Sequence, residues 1–331
     1  MGIVCSQYHC QQSFKIKMVN IKQRRILWAV ALSMVAVCEA AELYYIEQSG
    51  TDTNWDTTGN WFTRDGSNYI SNGAVPGAGD NVVLSGGPFA PNGLIVNTSS
   101  ADASGGQFRM GVWADVDLTI NAGAGLLVDG LSTNNESTIV NYGTFELTNV
   151  AYLNGASDFT NHLGASFTSQ GFNVSGTATI TNYGDVDIEA GWLYLATATG
   201  DNTWNMEGGT ITAKHVAMPD DGKAKLYLND GAIETETMHF NSSTHSGLYE
   251  IIVKDGTLQV NGDKTGAINT MINQSVITAA AGYTLSFEYD GTSYTTLSAI
   301  AVPVPEPAHA TLVLGLFAAL YLSLRARRVA I

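Results

Sequence analysis

Seven short segments of this chain repeat one pattern: an alternating apolar stretch, an Asn or Asp beside a Gly, and a second alternating stretch. The clearest copies run Thr138 to Leu147 around Asn141 and Gly143, and Thr179 to Ile188 around Asn182 and Gly184. The anchoring glycines are Gly123, Gly143, Gly164, Gly184, Gly208, Gly231 and Gly256, separated by 20, 21, 20, 24, 23 and 25 residues. A period of this kind is the signature of a stacked repeat, in which each unit buries its apolar face only against its neighbours.

Apolar residues recur at every second position on either side of each glycine, as in Phe145 and Leu147 or Val186 and Ile188. That is strand periodicity, not helical. Asn-x-Gly and Asp-Gly tolerate positive φ where a chain must corner sharply. No sustained amphipathic helical run is evident between residues 42 and 300. Two or three short strands and a corner in about 20–25 residues make one coil of a parallel β-helix, with inward aliphatics forming a continuous core. The predicted fold is therefore all-β, a β-solenoid over 97–300. A β-sandwich is the alternative, since turn signals at 10–12-residue intervals also suit it.

The ends have a different composition. Lys22, Arg24 and Arg25 precede the apolar stretch Ile26 to Val37, and small residues follow at Cys38 and Ala40. This is the layout of a secretory signal helix over 1–40, with cleavage expected between Ala40 and Ala41 and Cys38 at the −3 position. Met18 would open a signal of ordinary length, making 1–17 an upstream mis-start; the alternative is a long basic leader. Val35 to Cys38 faintly resembles a lipoprotein box, with Val37 too bulky for its place. At the other end, Pro305-Glu306-Pro307 abuts the uncharged run Ala308 to Leu324, which Arg325, Arg327 and Arg328 close. As a helix those 17 residues reach roughly 25 Å, enough to cross a bilayer core of about 30 Å with local thinning. The arginines would stay cytoplasmic.

The tail over 301–331 resembles the PEP-CTERM sorting signal of exported proteins in Gram-negative bacteria that make extracellular polysaccharide. Pro305, Glu306, Pro307, the apolar helix and the three arginines match the family's three parts in order. The resemblance implies recognition by an exosortase-type sorting enzyme, transient anchoring in the inner membrane, and delivery to the cell surface. It covers under a tenth of the chain. The other reading of these residues is a plain C-terminal membrane anchor behind a Pro-rich stalk.

Residues 41–96 carry Trp55, Trp61, Phe62 and the run Ala74 to Leu84 with Pro76 and Asp80. This segment resembles, more loosely, the opening of exported autotransporter-passenger-like β-helix proteins. A solenoid's first coil needs protection from water and from strand addition. Residues 41–96 are therefore predicted to cap the solenoid, with the tryptophans plugging the core. Exposed indoles lining a sugar site are the alternative.

Composition limits the function. All three cysteines, Cys5, Cys10 and Cys38, precede the expected cleavage site, so the exported chain has no disulfide and no thiolate metal site. Residues 41–304 hold seven basic side chains against 28 acidic ones, a net of −21. Such a surface repels nucleic acid and anionic lipid. Cations and neutral or basic polymers, polysaccharide among them, remain suitable partners.

No catalytic pattern stands out, and no cofactor is indicated. His239 and His245 lie six apart without metalloprotease spacing. There is no Gly-x-Ser-x-Gly elbow or phosphate loop. Asp115 and Asp117, Asp185 and Asp187, and Glu234 and Glu236 sit two apart, on one face of a strand. β-Helical polysaccharide lyases set such carboxylates beside a basic residue; here it would be Lys214, Lys223, Lys225 or Arg109. Outward polarity explains them more simply. Asp220-Asp221-Gly222 lacks the further oxygens of a calcium loop. Asn97, Asn135 and Asn241 open glycosylation-like triplets, a chemistry that sits poorly with the bacterial tail. The expected function is an exported structural or adhesive surface protein, with a polysaccharide lyase, hydrolase or carbohydrate-binding module as alternatives.

Overall fold

In the computed structural model the described residues are 41–47, 53–65, 67–85, 93–111, 115–197, 200–218, 222–239, 249–303 and 316–317. Cys38 and Ala40, the sorting residues Pro305, Glu306, Pro307, Arg325, Arg327 and Arg328, and Asp220, Asp221, Asn241 and His245 lie outside them. Among the described residues no helix is long and apolar enough to cross a membrane.

The chain winds into a parallel β-solenoid of about eight turns, each of about 22 residues. Three faces run along it. Face A stacks Leu94–Val96, Asp117–Ile120, Thr138–Asn141, Asp158–Asn161 and Thr179–Asn182 in parallel register and continues to Ile277–Ala279. Face B includes Thr144–Leu147, Ser166–Ser169 and the start of Asp185–Thr197. Face C includes Val150–Leu153, Gly171–Ser175 and the later part of Asp185–Thr197.

Alternation decides what is inside. On face A the inward column runs Leu94, Leu118, Ile139, Phe159, Ile180, Trp204, Leu226, Ile251 and Ile277, every one buried. Phe159 packs edge-on against Phe167 of face B and Phe172 of face C, at centroid distances of 5.1 and 5.7 Å. Aromatic contacts thus tie the three faces across one core.

Next to that column, Asn141, Asn161 and Asn182 pair in register and are buried. The Asn141 amide donates to the Asn161 side-chain oxygen at 2.9 Å, and the Asn161 amide to that of Asn182 at 3.0 Å. The same amides also donate to the first carbonyl of a face B strand, Asn141 to that of Ser166 and Asn161 to that of Asp185. Stacked identical amides so meet the requirement that buried polar groups be paired. In register, Asn141 stands beside Ile120. Asn121 falls at the corner, bonded to Asn97.

Within 41–96 the described strands mix parallel and antiparallel pairing. Strand Glu42–Tyr45 pairs parallel to Asn81–Leu84 but antiparallel to Trp61–Asp65, which pairs antiparallel with Asn68–Ser71. The antiparallel turn-back ends the stack. Trp55 and Trp61 are 1% and 0% exposed and pack edge-on at 5.0 Å. The Trp61 indole N–H donates to the Trp55 carbonyl at 2.9 Å. Parallel stacking begins inside this segment, with Glu42–Tyr45 on Asn81–Leu84 and Leu94–Val96 on Leu118–Ile120.

The far end differs from the expectation of coils to residue 300. A helix, Thr265–Asn273, interrupts the strands and buries Ile268 and Met271 against the last coil. A hairpin of Tyr283–Tyr289 and Tyr294–Ala301 then pairs antiparallel with Thr257–Asn261. The physical need is the same as at the other end: unpaired strand groups and core side chains must be covered.

Candidate functional site

The corners between faces A and B come in two lengths. Four residues, 121–124, join Ile120 to Gly125, and only two, 142–143, join Asn141 to Thr144. The next two corners repeat this, with 162–165 and then 183–184. In the long corners Gly123 and Gly164 have φ of 76° and 81°, and Ala124 N–H and Ala165 N–H close turns onto Asn121 and His162. In the short corners the glycines are required by contact instead. A Cβ on Gly143 would overlap the carbonyl oxygens of Asn121 and Ala124, and one on Gly184 those of His162 and Ala165.

Successive glycines leave a trough along this edge. It has a volume of about 450 Å³ and crosses four coils, with Ser99, Gly123, Leu127, Tyr142, Thr144 and Glu146 in its lining. Beside it stands a column of rings. Tyr142 stacks on His162 at 4.0 Å and 14°, and His162 faces Tyr183 at 6.0 Å and 12°. Tyr142 is 42% exposed, and Leu163 next to the column is 86% exposed.

Below this edge, the outer side of face B alternates acid with hydroxyl or amide. In register, Glu146 lies beside Thr168, Thr168 beside Asp187, Asp187 beside Thr212, Thr212 beside Glu234, and Glu234 beside Gln259. Carboxylates on that column are two strand spacings apart, roughly 9–10 Å. At that distance in water, and near one Debye length at 0.1 M salt, their repulsion is small. The expected acidic pairs are thus displayed in different coils rather than gathered. Among the described residues no group of three or more His, Cys, Asp and Glu could hold a metal ion.

The basic residues weighed as catalytic partners are similarly dispersed. Arg109 is paired with Glu42, and Lys225 with Glu250 at 3.3 Å, the latter carboxylate raising the Lys225 pKa. Trp55 and Trp61, buried in the cap, form no exposed sugar-stacking strip.

A second aromatic group was not legible beforehand. On face C, Trp192 packs against His215 and His239, each at 4.6 Å, and stacks on Tyr194 at 5.5 Å. Thr237 Oγ1 sits between the rings, 2.6 Å from His215 Nδ1 and 3.3 Å from His239 Nε2. The bulge between Ile188 and Trp192 shifts this register and hides it from a search at constant period. The Tyr142 column did carry a signal: the residue after Asn in three successive repeats is Tyr142, His162 and Tyr183.

Comparison with protein-family models, with curated proteins and with solved structures finds no match to this chain.

Proposed function

We propose that this is an exported, non-enzymatic surface or matrix protein, sorted through its C-terminal tail and holding extracellular polysaccharide or cations along a stiff acidic rod. The observation that carries the reading is the parallel stack, whose outer face B alternates acid with hydroxyl or amide groups from coil to coil. Such a face suits many weak contacts with a repeating polymer better than one concerted reaction. The signal-like leader, the cysteine-free acidic body and the Pro-Glu-Pro, helix and arginine tail support export and sorting. Ala41, the residue after the expected cleavage, already accepts a backbone bond from Asn81 at 2.8 Å. Dispersal of Arg109 and Lys225 into surface ion pairs supports a structural role over a lyase.

The test is incubation of the purified protein with neutral and acidic polysaccharides, followed by sizing of the polymer and by co-sedimentation. Binding with unchanged polymer length is the expected result. Chain shortening would replace the structural reading with a carbohydrate-active enzyme.

A further inference from the structure

We infer that the corner trough beside Tyr142 is a binding site for an uncharged glycan strand lying parallel to the rod axis; the inference rests on the polysaccharide-associated reading above. Shape is the first ground. The trough crosses four coils, three strand spacings or about 14 Å. It therefore suits an extended oligosaccharide segment better than a compact ligand. Its volume of about 450 Å³ lies in the range of small-molecule sites.

Chemistry is the second ground. Among the described residues of the lining Glu146 is the only carboxylate, and there is no Lys, Arg or His. An anionic polymer would meet that charge, and the excess of acidic groups over the body, with no basic side chain among the described lining residues to neutralise it. Ser99, Ser100 and Thr144 add hydroxyls, and Tyr142 and Leu127 add apolar surface. Aromatic and apolar surface with a few placed polar groups is the usual makeup of a site for a neutral polyhydroxylated ligand.

Preorganisation is the third. His162 backs the Tyr142 ring at 4.0 Å, and Tyr183 follows His162, so little side-chain freedom remains to be lost on binding.

Titration calorimetry of the full-length protein with cellohexaose, laminarihexaose and hexagalacturonate tests this. Saturable binding of at least one neutral hexamer is expected, with none of the acidic one. Tyr142→Ala should weaken that binding about tenfold or more, while Tyr142→Phe stays near the parent. Thr144→Arg, an exposed change that obstructs the trough, should weaken it comparably, and Trp192→Ala on face C should not. Thermal unfolding of each variant guards against misfolding. Absence of binding by both neutral hexamers, tighter binding of hexagalacturonate, or full affinity in Tyr142→Ala would overturn the assignment. Retention in extracellular matrix is scored separately. A retained protein that binds no hexamer removes the trough assignment alone, and one that binds yet is not retained removes the broader reading.

Discussion

The side-chain amide of Asn161 donates to the side-chain oxygen of Asn182, one coil further on, at 3.0 Å inside the core. Asn161 also receives a bond from Asn141 and donates to the Asp185 carbonyl, so one residue links three coils and two faces. Asn161→Ala removes the acceptor of one Asn141 amide hydrogen and the donor to the Asn182 side-chain oxygen and the Asp185 carbonyl, in the buried interior. Each orphaned group costs about 1–3 kcal/mol. Because solenoid stability is transmitted between neighbours, amide hydrogen exchange should accelerate most from residue 138 to 188 and least in the cap. Uniform acceleration across the chain would contradict the ladder's local role.

The corner glycines should differ sharply in tolerance. Gly143→Ala drives a methyl into the Asn121 and Ala124 carbonyls, a backbone collision that lowers stability by about 1–3 kcal/mol. Gly208 has no positive φ, and the nearest atom to an added Cβ is 3.4 Å away. Gly208→Ala should be neutral within about 0.5 kcal/mol. Urea unfolding of the two variants side by side measures this, and equal destabilisation would refute the two-length corner account.

Thr212 separates Asp187 from Glu234 on face B. Thr212→Asp places three carboxylates in adjacent strands and should cost about 0.2–1 kcal/mol at low ionic strength. Most of that loss should disappear in 0.5 M salt. Thr212→Ser, measured at the same two salt concentrations, should show no comparable salt dependence.

The Asp290 carboxylate accepts backbone bonds from Ser293, Thr292 and Tyr294, which hold its pKa at about 2 against an ordinary 3.8. A depressed carboxylate pKa stabilises the folded hairpin above the ordinary value, and that contribution is lost as pH falls from near 4 toward 2. Exchange protection at residues 283–301 should therefore decline over that window. In Asp290→Asn the decline should be absent or much reduced.

Much of the architecture could be read from the chain because a solenoid repeats its instructions. Strand alternation at Phe145 and Leu147 or Val186 and Ile188 names the inward face of each coil, and the glycine period gives its length. The tryptophan plug followed from the need to close an end. The C-terminal closure did not, because Thr265–Asn273 is short, has no capping side chain at Lys264, and buries only Ile268 and Met271. Its helicity comes from docking on the last coil, which no local pattern reports. The position of Asn121 at a corner, beside the Ile120–Asn141 pair, is hidden for a related reason: corner lengths alternate, so near-equal glycine spacing conceals a one-residue change of strand register. The trough itself is a property of stacked corners, and the Trp192–His215–His239 group of a bulge. Both appear only when coils are laid on one another.

The central claim is that this rod is cargo delivered to the cell exterior, and intact mass spectrometry of the protein recovered from extracellular matrix tests it most directly. The account predicts a species that begins at Ala41 and has lost the apolar helix and the arginines Arg325, Arg327 and Arg328. A protein found only in the inner membrane, with the tail intact in cells that possess the sorting enzyme, would contradict it.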